Sequence, residues 1–133
     1  MQGVCPNSWH LPSDAEWTIL TDYVSSHSEY TCDGYSDNIA KALAFTEGWF
    51  PSANSCSPGS DPSINNSSGF SAVPVGGCCG GVFYDQSYGA YFWSSTEDYS
   101  YDAWYRNLNN TNASVNRNSF SKSYGYSVRC LRD

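Results

Sequence analysis

Apolar and polar positions alternate in two different ways along the chain. Trp17, Leu20, Tyr23 and Val24 recur at i, i+3, i+6 and i+7, which predicts one apolar face of a helix running to about Ser26. Ser13 stands three residues before Glu16, so its hydroxyl can accept from the Glu16 amide while the Glu16 carboxylate reaches back, a capping box. Pro12 stops any earlier helical continuation. A second short helix is predicted over 37–44, capped by Ser36 or Asp37, with Ile39 and Leu43 on one face. Residues 46–69 interleave Gly48, Pro51, Pro58, Gly59, Pro62 and Gly69 with Ser and Asn, a long loop tied down at Cys56. From Phe70 onward, short aromatic and β-branched runs between Gly, Asn and Ser clusters predict strands at 70–74, 81–85, 90–94, 102–108, 113–117 and 126–131. Within them Trp104, Arg106 and Leu108 alternate with Ala103, Tyr105 and Asn107, and Tyr126, Val128 and Cys130 alternate with Ser127, Arg129 and Leu131. Helices first and strands later is an α+β layout. No internal repeat interrupts it.

Composition adds what holds such a chain together. The 133 residues make one domain, and Leu, Ile, Val and Phe number only 5, 3, 7 and 6. That aliphatic content, with a net charge of −7, would suit a disordered chain. Against disorder stand 5 Trp, 11 Tyr and six cysteines, since aromatic rings bury large areas and disulfides supplement a small core. The acidic balance repels phosphate backbones, which argues against nucleic acid. No apolar run approaches the roughly 18–20 residues that cross a bilayer, so membrane insertion is not expected. Met1-Gln2-Gly3 lacks a charged and then apolar leader, so Met1 reads as an added start or the edge of a trimmed fragment of a larger surface protein.

The cysteines are Cys5, Cys32, Cys56, Cys78, Cys79 and Cys130. None forms C-x-x-C, and His10 and His27 stand far from all of them, so zinc spacing is absent and no metal or other cofactor is expected. An even count in a small acidic domain points to disulfides and an extracellular or cell-surface location. Cys5 and Cys130 would close nearly the whole chain as one loop. Joining Cys78 to Cys79 requires a strained eight-membered ring, so Cys32 and Cys56 are each expected to take one of the adjacent pair, in either order.

Several blocks carry a family resemblance. Cys5-Pro6-Asn7-Ser8-Trp9-His10-Leu11-Pro12-Ser13-Asp14-Ala15-Glu16-Trp17 resembles the opening of the Fibrobacter succinogenes major paralogous domain. Ser68-Gly69-Phe70-Ser71-Ala72-Val73-Pro74, Tyr91-Phe92-Trp93-Ser94-Ser95-Thr96, Ala103-Trp104-Tyr105-Arg106-Asn107-Leu108 and the closing Tyr124 to Asp133 fit as well. Residues 28–66 fit poorly and read as a local elaboration within the single domain 1–133. That family is similar to formylglycine-generating-type domains, through Leu11 to Trp17 and Tyr126-Ser127-Val128-Arg129. The resemblance implies a C-type lectin-like fold: paired termini, two helices, and a twisted antiparallel sheet with long loops.

Residues 84–127 carry the expected function. Tyr, Asn, Ser and Asp fill most of these positions, whereas Lys122 and Glu97 are the lone Lys and Glu. Tyr supplies rigid amphipathic area and Asn and Ser supply adaptable hydrogen bonds, which is how recognition surfaces are built. The expected ligand-binding residues are Tyr99, Tyr101, Asp102, Tyr105, Asn107, Asn109, Asn112, Asn116, Asn118 and Tyr124, on a frame of Trp93, Trp104, Leu108, Val115 and Val128. The expectation is a non-catalytic, adhesin-like module whose partner is a surface protein or glycan. Tyr, Ser and Asp are also each reached from an Asn codon by changing one adenine, whereas Lys and Glu are not. C-type lectin folds are used by diversity-generating retroelements, so the stretch resembles a variable region.

Two alternatives accompany this reading. Formylglycine-generating enzymes use paired reactive cysteines with copper, but Cys78-Cys79 lies in a glycine loop and all six cysteines have expected structural uses. A calcium-dependent lectin would use Glu-Pro-Asn or Gln-Pro-Asp and Trp-Asn-Asp, which are absent, although Glu97, Asp98 and Asp102 cluster. His10 is expected to be packed or hydrogen-bonded, His27 to meet the carbonyls ending the first helix, and Arg106, Arg117 and Arg129 to pair with carboxylates.

Overall fold

A computed structural model describes residues 3–133; Met1 and Gln2, where the expected fragment edge falls, lie outside the described residues. The capping box forms as its spacing dictates: the Glu16 amide donates to Ser13 Oγ at 3.2 Å and the Ser13 amide donates to Glu16 Oε2 at 2.8 Å. Helix α1 then runs Asp14–Ser25 and buries Trp17 and Val24. Tyr23 departs from the expected face and is 55% exposed, because six residues advance a helix by about one and two-thirds turns. His27 meets the Tyr23 carbonyl at 2.7 Å, as a residue following a helix end does.

The second helix is shorter than expected. Helix α2 spans only Ala40–Leu43, and neither Ser36 nor Asp37 caps it: Ile39 occupies that position without a side-chain bond. The Ala40 amide instead donates to the Ala113 carbonyl at 2.9 Å. All four α2 residues are buried, Lys41 included, and its ammonium donates to the carbonyls of Ser57, Ser60 and Asp61. Burial lowers the Lys41 pKa. One cation thus gathers the carbonyls of the Gly- and Pro-rich loop. Single 3₁₀ turns at Ser28–Tyr30 and Pro62–Ile64 punctuate the long connections.

Among the described residues, three small antiparallel sheets replace the single expected one. Strand β1 (Trp9–His10) pairs with β7 (Leu131–Arg132), bringing the two ends of the chain together. Strands β2 (Gly77–Cys79) and β3 (Val82–Tyr84) form a hairpin. Strands β4 (Gly89–Tyr99), β5 (Asp102–Asn109) and β6 (Asn116–Ser121) form the principal sheet in that order, with bulges between Trp93 and Tyr99. The expected strand at 70–74 is a single bridge, Ala44 to Ala72, since Ser71 has a positive φ of 62° and Pro74 lacks a donor. The strand expected at 113–117 starts later because the Asn112 carboxamide accepts the Ser114 amide at 3.0 Å and holds a turn. The run at 126–131 makes backbone hydrogen bonds to β4 only through Ser127, which bonds Tyr91 and Trp93, before leaving to pair with β1.

The core lies between α1, α2 and one face of the principal sheet, where Trp17, Val24, Ile39, Leu43, Trp49, Phe92 and Leu108 pack together. Asp14 fastens this interface: Arg106 Nη1 donates to its Oδ1 at 2.6 Å and Arg117 Nη2 to its Oδ2 at 2.8 Å. Burial works to raise the Asp14 pKa, yet the bonds from Arg117 and Arg106 outweigh it and hold the carboxyl below its usual range. Arg129 corrects the expectation, for it donates to the Phe70 carbonyl at 2.9 Å and lies over the Phe70 ring. His10 is hydrogen-bonded as expected, to Glu16 at 3.0 Å and Asp133 at 2.7 Å.

The disulfides are Cys5–Cys130, as expected, and Cys32–Cys56, which is not. Cys78 and Cys79 are unbridged. Cys32 and Cys56 both belong to the loop-rich 28–66 segment and staple it to itself, whereas Cys78 and Cys79 are committed to the β2 hairpin. Among the described residues, no helix is long and apolar enough to cross a membrane.

Candidate functional site

Strand register assigns the two faces of the principal sheet. Phe92 pairs with Arg106 and Ala90 with Leu108, and this side faces α1. The intervening residues must point the other way. There Tyr91 lies opposite Asn107 and Trp93 opposite Tyr105, while Asn107 and Tyr105 lie opposite Asn116 and Asn118 on β6. The sequence therefore builds a second face from Tyr and Asn, on the side away from the helix.

Rings fill one part of this face. Tyr126 stacks on Tyr91 with centroids 4.9 Å apart and planes 17° apart, and it covers Trp93 at 4.6 Å. Tyr105 meets Tyr126 at 5.0 Å, Tyr124 meets Phe120 at 4.6 Å, and Tyr84 links Tyr91 with Tyr124. Trp93 is only 2% exposed beneath them and donates its indole N–H to the Tyr124 carbonyl. Behind the rings, Gly77 gives Tyr84 room: a Cβ there would sit 2.7 Å from the Tyr84 hydroxyl. Burial, followed by the bond from its hydroxyl to Asp85 at 2.8 Å, raises the Tyr91 pKa far above the usual range. Burial also raises Tyr126 and Tyr105. These phenols stay neutral at any ordinary pH and act as hydrogen-bonding groups without charge.

The ten expected binding residues divide into three groups. Tyr105, Asn107, Asn109, Asn116 and Asn118 share the face by register, and Tyr124 joins its ring cluster. Of these, Asn107 is buried at 8% exposure. Asn112 lies in the turn between β5 and β6, with its amide reaching Asn116 at 3.4 Å. Tyr99, Tyr101 and Asp102 sit instead at the β4–β5 hairpin tip, where Tyr99 is 72% and Tyr101 82% exposed. Among the described residues neither tip ring packs against another ring. Tyr84, Tyr91 and Tyr126 were missed as face residues. Period-two spacing across Gly89, Tyr91 and Trp93 is the signal that places Tyr91.

Of the expected frame, Trp93 and Leu108 are buried, whereas Trp104, Val115 and Val128 are half-buried, and the Arg117 guanidinium lies 3.6 Å over the Trp104 ring. The acidic cluster is already engaged in part: Glu97 pairs with Lys122 and Asp98 accepts from Ser119. Among the described residues, Cys32, Asp33 and Cys56 bring three metal-type ligand atoms within 4.8 Å, but the two sulfurs are bonded to each other.

The model of the Fibrobacter succinogenes major domain matches residues 1–132, so the match covers both the face and its frame. The chain belongs to that family. In this Fibrobacter succinogenes major domain the matched span includes the 28–66 elaboration, stapled by its own disulfide, as well as the paired ends. No curated protein and no solved structure matches the chain.

Proposed function

We propose that this domain is a non-catalytic extracellular binding module with a C-type lectin-like fold, part of a larger surface protein, which captures a surface protein or glycan. The carrying observation is the face in which Tyr84, Tyr91, Tyr105, Tyr124 and Tyr126 lie beside the Asn side chains of β5 and β6. Neutral phenols and amides can satisfy hydrogen bonds in many directions while the rings supply contact area at low entropic cost. The paired termini, the Cys5–Cys130 closure and the helix packed on an antiparallel sheet support the fold reading. Two disulfides suit an oxidising, extracellular setting.

Ligand capture tests the reading. A glycan array and a surface-protein pull-down with the native domain should each be compared with Tyr105→Ala and Asn118→Ala. Loss of a captured ligand in these variants, with folding retained, supports the face. Capture that survives both substitutions places binding elsewhere. The exposed tip residues Tyr99 and Tyr101 extend the same test to the β4–β5 hairpin. Diversification by a retroelement accounts for the Tyr, Asn, Ser and Asp bias, and it requires a reverse-transcriptase gene nearby with an adenine-rich near-copy of this gene's end.

One observation favours a second reading, a formylglycine-generating-type oxidase: Cys78 and Cys79 are unbridged, so they have no structural disulfide role. Copper uptake by the domain together with turnover of a cysteine peptide would establish it. A calcium-dependent lectin is the third reading, and its test is calcium-dependent capture abolished by a chelator.

A further inference from the structure

Four cysteines are spent in bridges, and the two that are not are neighbours in β2. Both are partly exposed. Their backbone is held from two sides. The Cys78 amide donates to the Gly125 carbonyl at 2.9 Å, the Gly125 amide donates to the Cys78 carbonyl at 2.7 Å, and Cys78 pairs with Phe83 across the hairpin. Adjacent side chains of an extended strand point to opposite faces. Their Cα atoms are only about 3.8 Å apart, closer than the roughly 4.4–6.8 Å that a disulfide ordinarily spans. A bridge between them would have to pull β2 away from both neighbours. The strand geometry therefore disfavours a bridge between the two thiols.

We propose that Cys78 and Cys79 form a thiolation site that takes low-molecular-weight disulfides and holds the products as mixed disulfides. A thiolate, its proton released to solvent, attacks one sulfur of the small disulfide. The S–S bond breaks, a new bond joins the cysteine Sγ to that sulfur, and the other half leaves as a thiolate that takes up a proton. One thiol and one disulfide are consumed and one of each is formed, so no further oxidant is needed. The neighbouring cysteine, on the opposite face of the strand, does not displace the adduct.

The two positions have different consequences. The antiparallel Cys78–Gly125 bridge sets Cys79 across from Tyr124, and the Tyr124 ring packs on Phe120, Tyr84 and Tyr126. An adduct on Cys79 thus stands at the rim of the tyrosine face, beside Tyr124. Cys78 instead lies against Gly125, 3.3 Å from where a Cβ at that residue would project. That an adduct would block ligand capture rests on the proposed binding face; the thiol chemistry does not.

Incubation of the native, bridge-intact domain with oxidised glutathione tests this by thiol titration and intact mass, followed by peptide mapping without reduction. The two free thiols should disappear, with glutathione mapped to Cys78 and Cys79 and both original bridges unchanged. Cys78→Ser should accept a single adduct, at Cys79, that changes the near-ultraviolet tyrosine signal. Cys79→Ser should accept one at Cys78 that leaves the signal alone. Three results would overturn the proposal: a Cys78–Cys79 bridge without adduct, thiols that stay unreacted, or a Cys79 adduct without a tyrosine change. The mass readout involves no ligand, so it stands or falls apart from the binding assay.

Discussion

Replacing Asp14 with Asn removes one charge and leaves the volume nearly unchanged, but it strands a buried cation. The Arg106 side chain is 3% exposed, and the Asp14 carboxylate is its partner at 2.6 Å. Breaking a buried pair on one side costs about 3–5 kcal/mol, because the remaining charge stays desolvated. Arg106 keeps its Nη2 bonds to the Asp14 carbonyl at 3.2 Å and to Thr18 Oγ1 at 3.0 Å, which favours the lower end of that range. Arg117, with a side chain 46% exposed, adds only about 0.5 kcal/mol. Asp14→Asn should therefore destabilise the domain by about 3 kcal/mol. In urea, with a slope of about 2 kcal/mol per molar, the midpoint falls by about 1.5 M at unchanged slope. Adding Arg106→Met removes the stranded charge and should restore a good part of the loss. A shift below about 0.5 kcal/mol in the single variant, or a double variant no more stable than the single one, would refute this reasoning.

Further outcomes follow from the same structure. Because the folded Asp14 pKa lies below its unfolded value, its contribution is present above the unfolded pKa and is lost as pH falls through the folded one; urea titrations of Asp14→Asn should lack that acid-side loss. His10 behaves oppositely. Asp133 and then Glu16 raise its pKa, so its contribution is present below the unfolded value near 6.5 and lost as pH rises through the folded one, and His10→Gln should flatten that dependence. Trp93→Ala should cost about 3–5 kcal/mol as a buried aromatic, the half-buried Trp104→Ala about 2 kcal/mol, and the exposed Tyr101→Ala within about 0.5 kcal/mol, all read by urea unfolding. Replacing Cys32 and Cys56 together with Ser opens a bridge of sequence separation 24 and should cost about 3 kcal/mol in the same assay.

What the sequence reveals depends on how local the governing physics is. The Ser13–Glu16 cap and α1 follow from contacts three and four residues apart, and β5 follows from strict alternation through Ala103 to Leu108. The pairing of Cys32 with Cys56 depends on how the long loop folds back. Elimination from the strained Cys78–Cys79 ring led elsewhere, because it assumed that every thiol must be bridged. The short α2 shows a similar override, with the Ala113 carbonyl, far along the chain, taking the Ala40 amide. At the site, Tyr105 was legible because it belongs to the alternating strand β5, whereas Asn118 falls just past the strand expected at 113–117 and comes opposite Tyr105 through the register of β6. Tyr126 was not, since its place over Tyr91 and Trp93 arises from a crossing held by one residue, Ser127.

The closure at the ends has a mechanical meaning. With Cys5 bonded to Cys130 and Trp9 paired to Arg132, a pull applied through the two termini enters and leaves the domain at nearly the same point. The load passes through a covalent bond and bypasses the three-stranded sheet. Under tension the tyrosine face would keep its shape for as long as that one bond stays oxidised. Reduction of Cys5–Cys130 would transfer the same pull to two short strands, Trp9–His10 and Leu131–Arg132, which would unzip before the core felt any strain.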